Sequence, residues 1–254
     1  MMVRELIAAV RFLTRLPVPG SPTQAADLPG AISWFPLIGG LVGLAIGAIA
    51  CALTAWWSPL IAALLAVAAG LLITGGFHED AASDAADGLG GGFTTEKVLA
   101  IMRDSRIGAY GAMSLWVVLT LRMLVLWQLL ELLPLWQVPL AMGFASAWGR
   151  WTAAPLLATL PPLTEGLAQD VSKDITPSTQ RLPLVLATLT ITLLTASAWY
   201  LHIPHIISGA ATAVAATLVW WIYLRHRLGG HSGDLLGAGN QITEAATLLA
   251  LTIR

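Results

Sequence analysis

Runs of apolar residues of membrane-spanning length recur along this chain, at about 33–55, 59–76, 109–133, 136–160, 182–202 and 205–224, with a shorter seventh at 241–253. The pattern predicts an all-α integral membrane protein, a polytopic helical bundle of about six to seven transmembrane helices. Trp56, Trp57, Trp136 and the Trp199-Tyr200 pair fall at segment ends, where interfacial anchors sit. Residues 1–17 follow a different rule. Arg4, Arg11 and Arg15 share one helical face, and Leu6, Ile7, Val10 and Leu13 share the other, until Pro17 ends the pattern. That predicts an amphipathic interfacial helix, or a short helix docked on the bundle.

Composition supports the same class. Hydrophobic residues make up 57% of 254 and mean hydropathy is +0.77, too apolar for a soluble domain of this length. A net charge of −1 gives nucleic acid nothing to bind, and the single cysteine, Cys51, rules out a disulfide framework or a Cys-based metal site.

Charge settles orientation. Ten of the 13 Lys and Arg, namely Arg4, Arg11, Arg15, Lys97, Arg103, Arg106, Lys173, Arg181, Arg225 and Arg227, fall on one side if the segments alternate. The positive-inside rule places that side, with segments 77–108, 161–181 and 225–240, in the cytoplasm. The expected location is the cytoplasmic (inner) membrane, multi-pass, with the active face cytoplasmic. The far-side connections are too short for an external domain, so residues 1–254 read as a single integral-membrane domain.

The polar segments on that side hold the chemistry. Between Gly75 and Gly92 the chain reads GGFHEDAASDAADGLGGG, with Glu79, Asp80, Asp84 and Asp87 close together. On a helix continuing the second span, Asp80, Asp84 and Asp87 lie within roughly 60° and about 10 Å of one another. Their repulsion near lipid calls for a cation, and carboxylates spaced by helical turns suit Mg²⁺. The expected metal set is Asp80, Asp84 and Asp87, with Glu79 beside them, and Gly88 onward frees the backbone to turn. His78 serves either as a catalytic proton acceptor or as a hydrogen-bonded structural histidine.

The run IMRDSRIGAYG, from Ile101 to Gly111, sets Arg103 and Arg106 three residues apart, neighbours if helical. Arginine forks match phosphate oxygens, which suits a nucleoside diphosphate; the plainer alternative is anchoring of the third span. In GGHSGDLLGAGN, from Gly229 to Asn240, the glycines including Gly233 allow close approach to a ligand, and Asp234 offers a metal or hydroxyl contact. Arg122, Arg150 and Glu244 lie inside apolar segments, where an unpaired charge costs about 2.5–3.5 kcal/mol at a helix centre. Arg150 is expected to face the interior, either neutralising a substrate phosphate or pairing with Glu244.

Together these segments resemble the cobalamin synthase family, adenosylcobinamide-GDP ribazoletransferase. Its acidic motif, H-x-D-x-x-x-D-x-x-D-G, is met by His78, Asp80, Asp84, Asp87 and Gly88, and its DSR-I-G run by Asp104, Ser105, Arg106, Ile107 and Gly108. In the family's T-G-D-x-L-G-A-x-x-E-x-x-E, Ser232 replaces Thr, Gly233, Asp234, Leu236, Gly237 and Ala238 match, Gln241 stands where the first Glu is usual, and Glu244 keeps the second. With FLTRLPVP near the N-terminus, the likeness covers essentially the whole chain. It implies transfer of the adenosylcobinamide phosphate moiety of adenosylcobinamide-GDP to α-ribazole or its 5′-phosphate, with release of GMP and Mg²⁺ as cofactor. It further implies Asp80, Asp84, Asp87 and His78 as catalytic groups. Arg103, Asp104, Ser105, Arg106, Gly233, Asp234, Arg150 and Glu244 would contact substrate. The partners would be these two substrates and the lipid bilayer, with a homo-oligomer or association with other cobalamin-assembly enzymes left open. Two other readings compete. Asp84-Ala-Ala-Asp87-Gly88 begins the signature of CDP-alcohol phosphotransferases, but no Ala-Arg follows. A divalent-cation transporter would also use carboxylates, though nearer the midplane.

Overall fold

The computed structural model describes residues 2–20, 23, 27–164 and 181–253. The larger part of the 161–181 segment, with Lys173, lies outside them. Regular structure among the described residues is helical: α1 (Met2–Leu13), α2 (Leu28–Ala31) leading through a 3-10 turn into α3 (Phe35–Leu53), α4 (Pro59–Thr74), α5 (Phe77–Gly91), α6 (Thr95–Met102), α7 (Ala109–Leu132), α8 (Gln137–Trp151), α9 (Ala153–Thr159), α10 (Arg181–Tyr200), α11 (Ile206–Arg227) and α12 (Gly233–Leu251). The chain is an all-α membrane protein. Leu72, Trp116 and Val219 on α4, α7 and α11 stand 79%, 70% and 66% exposed, an apolar exterior suited to lipid.

The tightest helix pairing comes from small residues. Gly39, Gly43 and Gly47 recur every fourth position on α3, and α8 lies against them: a Cβ at Gly43 would strike the Met142 carbonyl and Ser146, and one at Gly47 would strike Pro139. In lipid, helices associate through such close backbone contact, because burying apolar surface brings no gain there.

By length and composition, Leu28–Leu53, Ala109–Leu132 and Ile206–Arg227 can cross a membrane, and Pro59–Thr74 with Phe77–Gly91 qualifies only as a pair bent by 90°. Three or four such spans among the described residues compare with the six to seven expected. One cause is local. The 136–160 segment is broken into α8 and α9, because Pro155 has no N–H for the Trp151 carbonyl and its ring crowds it. The apolar run at 182–202 forms the 20-residue α10. The stretch before 241 is not a glycine loop. Ser232 caps a helix that starts at Gly233, its Oγ accepting the Leu235 N–H at 3.4 Å, and Asp234 in the first turn suits the helix dipole. Asn240, Gln241, Thr243, Glu244 and Thr247 of α12 are all buried, so this helix serves the bundle interior.

At the N-terminus, α1 stops at Leu13 and docks on the bundle. Ala8, Ala9 and Leu13 are buried with Leu28, Ile32, Phe35 and Leu157, while Arg4 stays exposed and pairs with Asp27 at 3.7 Å.

Candidate active site

The site begins at a bend. Gly75 and Gly76 have φ of +72° and +66°, left-handed values that glycine adopts at no steric cost, and they turn α5 through 90° from α4. The Arg15 side chain packs against Gly75, and the Arg15 N–H donates to the Ile73 carbonyl at 2.7 Å, so the end of α1 braces the corner. The acidic segment therefore lies across the polar end of the bundle and is no extension of the second span. Nor does it turn at Gly88: α5 runs on to Gly91, and Arg227 Nη2 and Nη1 bind the carbonyls of Gly92 and Phe93 at 2.6 and 3.0 Å.

The first turns of α12 lie against α5, with Gly237 directly on Ala81. Asp80 and Asp234 thereby reach one cavity of about 330 Å³, whose walls also include His78, Arg150, Gly233, Gly237 and Asn240. Asp84 follows one turn after Asp80. Burial, followed by the charges of Asp80, Asp234 and Asp87, pushes its carboxyl up to about 6. Asp234 is also raised, chiefly by burial, with Asp80 adding to the effect. Among the described residues no Lys or Arg forms a salt bridge with Asp80, Asp84 or Asp234. Among the described residues no three His, Cys, Asp or Glu groups converge into a ready-made metal cage. Mg²⁺ seldom needs one, since it keeps several waters and takes one or two carboxylates plus substrate phosphate oxygens.

The other two acids of the segment have partners of their own. Asp87 is buried and holds the start of α7: its carboxylate accepts the Gly108 N–H at 2.7 Å and the Gly111 N–H at 2.8 Å. A Cβ at either glycine would collide with that carboxylate. Glu79 turns into the bundle and receives Arg122 Nη1 at 2.6 Å, both side chains only 8% exposed. There a closed network forms. Arg122 Nη2 donates to Gln241 Oε1 at 2.6 Å, Arg122 Nε lies 3.6 Å from Glu244 Oε1, and Arg150 Nη1 bonds Glu244 Oε2 and, at 2.5 Å, Ser146 Oγ. Two arginines meet two glutamates, and Gln241 joins them without a charge. The Arg150–Glu244 pair is the second of the two roles the sequence left open for Arg150.

The arginine run is arranged differently from a helix. Because α6 ends at Met102, Arg103 to Ile107 form a loop in which Arg106 clasps Asp104 through Nη2–Oδ2 at 2.6 Å and Nε–Oδ1 at 3.0 Å. Hydrogen bonds from the Arg106 side chain and then its backbone N–H hold the Asp104 carboxyl down at about 2. The Arg106 side chain is 87% exposed, Arg103 and Ser105 are exposed as well, and none of the three lines the cavity. Sequence reasoning overlooked the aromatic wall, Phe12, Phe35 and Phe77, and Asn240 at the end of a segment it had singled out. Phe12 and Phe35 come from segments read only for membrane contact, so nothing local to them marks the site.

The comparisons with known proteins agree over the whole chain. Residues 5–252 match the family described as Cobalamin-5-phosphate synthase. The chain belongs to that family. Relatives named adenosylcobinamide-GDP ribazoletransferase include those of Shewanella piezotolerans (37% identical, covering 97% of this chain and 94% of the relative), Shewanella frigidimarina (39%, 96% and 92%) and Rhizobium etli (37%, 96% and 94%). No solved structure matches. In this cobalamin-5-phosphate synthase family member, the cavity draws its two carboxylates from α5 and α12.

Proposed function

We propose that this chain transfers the adenosylcobinamide phosphate moiety of adenosylcobinamide-GDP to α-ribazole or its 5′-phosphate, releasing GMP, at the cytoplasmic face of the inner membrane. The observation that carries the reading is the convergence of Asp80 and Asp234, from two different helices, on one cavity with Asp84 a turn away from Asp80. Mg²⁺ held by one or two of the carboxylates Asp80, Asp84 and Asp234, with the charge of the others adding to its affinity, would neutralise charge on the diphosphate oxygens as the leaving group departs. This set exchanges Asp87 and Glu79, which have protein partners, for Asp234.

A ribose hydroxyl of the acceptor attacks the cobinamide-bearing phosphorus in line. The new P–O bond forms to ribazole, the bond from that phosphorus to the bridging oxygen breaks, and GMP leaves with the bridging oxygen. His78, at the cavity wall, or one of the carboxylates takes the hydroxyl proton. Arg103 and Arg106, on an exposed loop, meet the guanosine diphosphate end, where Arg106 exchanges Asp104 for phosphate oxygens.

GMP release from adenosylcobinamide-GDP by detergent-purified protein tests the reading. It should require α-ribazole and Mg²⁺ together. Mg²⁺ flux in proteoliposomes with no nucleotide turnover would replace the transferase with a transporter. For the topology, a cysteine placed at Lys97 should resist an impermeant reagent in intact cells, and labelling there would reverse the orientation.

A further inference from the structure

The cavity wall is of two unlike kinds. Asp80 and Asp234 give it carboxylates; Phe12, Leu28, Ile32, Phe35, Ala153 and Leu157 are among its apolar residues. The aromatic rings there are already organised, Phe12 stacked on Phe35 with centroids 5.5 Å apart and set edge-on to Phe77 at 5.1 Å. Two polar groups in this wall are unsatisfied. Asn240 is 3% exposed and His78 6%, and among the described residues neither Asn240 Oδ1 nor His78 Nδ1 has a hydrogen-bond partner. A buried polar atom left unpaired costs roughly 1–3 kcal/mol, so a bound group that pairs it gains affinity and selectivity.

We infer that this cavity seats the acceptor nucleoside, its flat heteroaromatic base among Phe12, Phe35 and Phe77 and its ribose hydroxyls at the Asn240 amide and His78 imidazole. The inference rests on the transferase reading and adds which substrate enters. Size and the apolar character of the wall both select the acceptor. About 330 Å³ lies at the small end of the range for ligand sites and suits one nucleoside, whereas a corrinoid with its amide side chains is several-fold larger. A flat, neutral base needs apolar and aromatic surface, which this wall offers. With the base inward, the ribose lies toward Asp80 and Asp234, where its hydroxyl must react. On this reading α1 has a second role: its Phe12 closes one side of the acceptor site.

The test uses the full-length chain in detergent, with α-ribazole and adenosylcobinamide-GDP as separate calorimetric ligands. Ala153→Leu, which fills space at the apolar wall, and Asn240→Leu, which removes the amide, should each weaken α-ribazole binding tenfold or more and leave donor binding within twofold. A cysteine at Ala153 should be shielded from maleimide by α-ribazole and not by the donor, a readout that survives if either leucine variant misfolds. Equal losses for both ligands, unchanged α-ribazole binding, or shielding by the donor alone would overturn the assignment. The two claims fail separately. Wild-type protein that releases no GMP refutes the transferase reading, while wild-type turnover with unaltered acceptor constants in both variants refutes only this placement.

Discussion

Glu79 and Asp80 are adjacent in the chain and meet opposite environments. Glu79 enters a closed set of two arginines and two glutamates between α5, α7, α8 and α12, in which nearly every charge touches its opposite. Asp80 faces a cavity with Asp234, and among the described residues no arginine or lysine forms a salt bridge with either carboxylate. One helix thus carries both kinds of acid, separated by the 100° between successive residues. Compensated charges deep in a bundle fix helix positions, because each would be costly alone. The Asp84 carboxyl at its polar end is raised by burial and then by the charges of Asp80, Asp234 and Asp87, and on the proposed function these acids take a ligand cation. Charge in a membrane protein therefore reads as structure or as function according to whether its partner is in the chain.

Substitutions should separate the two regions. The largest effect is expected at Glu244→Ala, which strands Arg150 and deprives Arg122 of a neighbour. Breaking a buried pair costs about 3–5 kcal/mol, so melting in detergent should show most of the folded protein lost. Asp84→Asn should do the reverse: turnover at saturating Mg²⁺ falls on the order of 10²-fold, while the melting midpoint holds or rises as repulsion is relieved. Undiminished turnover would remove Asp84 from the metal set. Gly111→Ala belongs with the structural group although it touches an acid of the motif, since its Cβ meets the Asp87 carboxylate and Ser83. Disturbing those charge-assisted bonds should cost about 1–3 kcal/mol in stability, checked by thermal melting, with both substrate constants little changed in the protein that remains folded. Smallest is Arg106→Ala, expected to raise the donor's apparent constant roughly tenfold and leave that of α-ribazole alone. Equal effects on both substrates, or none, would reduce Arg106 to an anchor of α7.

Much of this division was legible in the sequence. Apolar runs located the helices beginning at Pro59, Ala109 and Ile206 to within a residue or so, because span boundaries follow composition. Helical spacing put Asp80 and Asp84 on one face, and the same wheel sets Glu79 apart from them, although the cluster of acids invited counting it in. What spacing could not show was capture by distant chain. Asp87 shares the face of Asp80 but is taken by backbone N–H groups 21 and 24 residues away, and Arg122 reaches Gln241 across 119 positions. The bend at Gly75 and Gly76 was hidden for a related reason: apolar character runs on to Phe77, so hydropathy continues where the backbone does not. The α3 glycines at four-residue spacing were readable as a packing surface and passed unnoticed among the apolar residues around them.

The contrast comes down to which carboxylates hold a cation, and Mn²⁺ binding to detergent-purified protein, followed by electron paramagnetic resonance without any substrate, measures that directly. Wild-type protein should bind Mn²⁺, in competition with Mg²⁺, and Asp80→Asn, Asp84→Asn and Asp234→Asn should each weaken it at least tenfold while melting like wild type. Binding that survives all three substitutions unchanged would contradict the account.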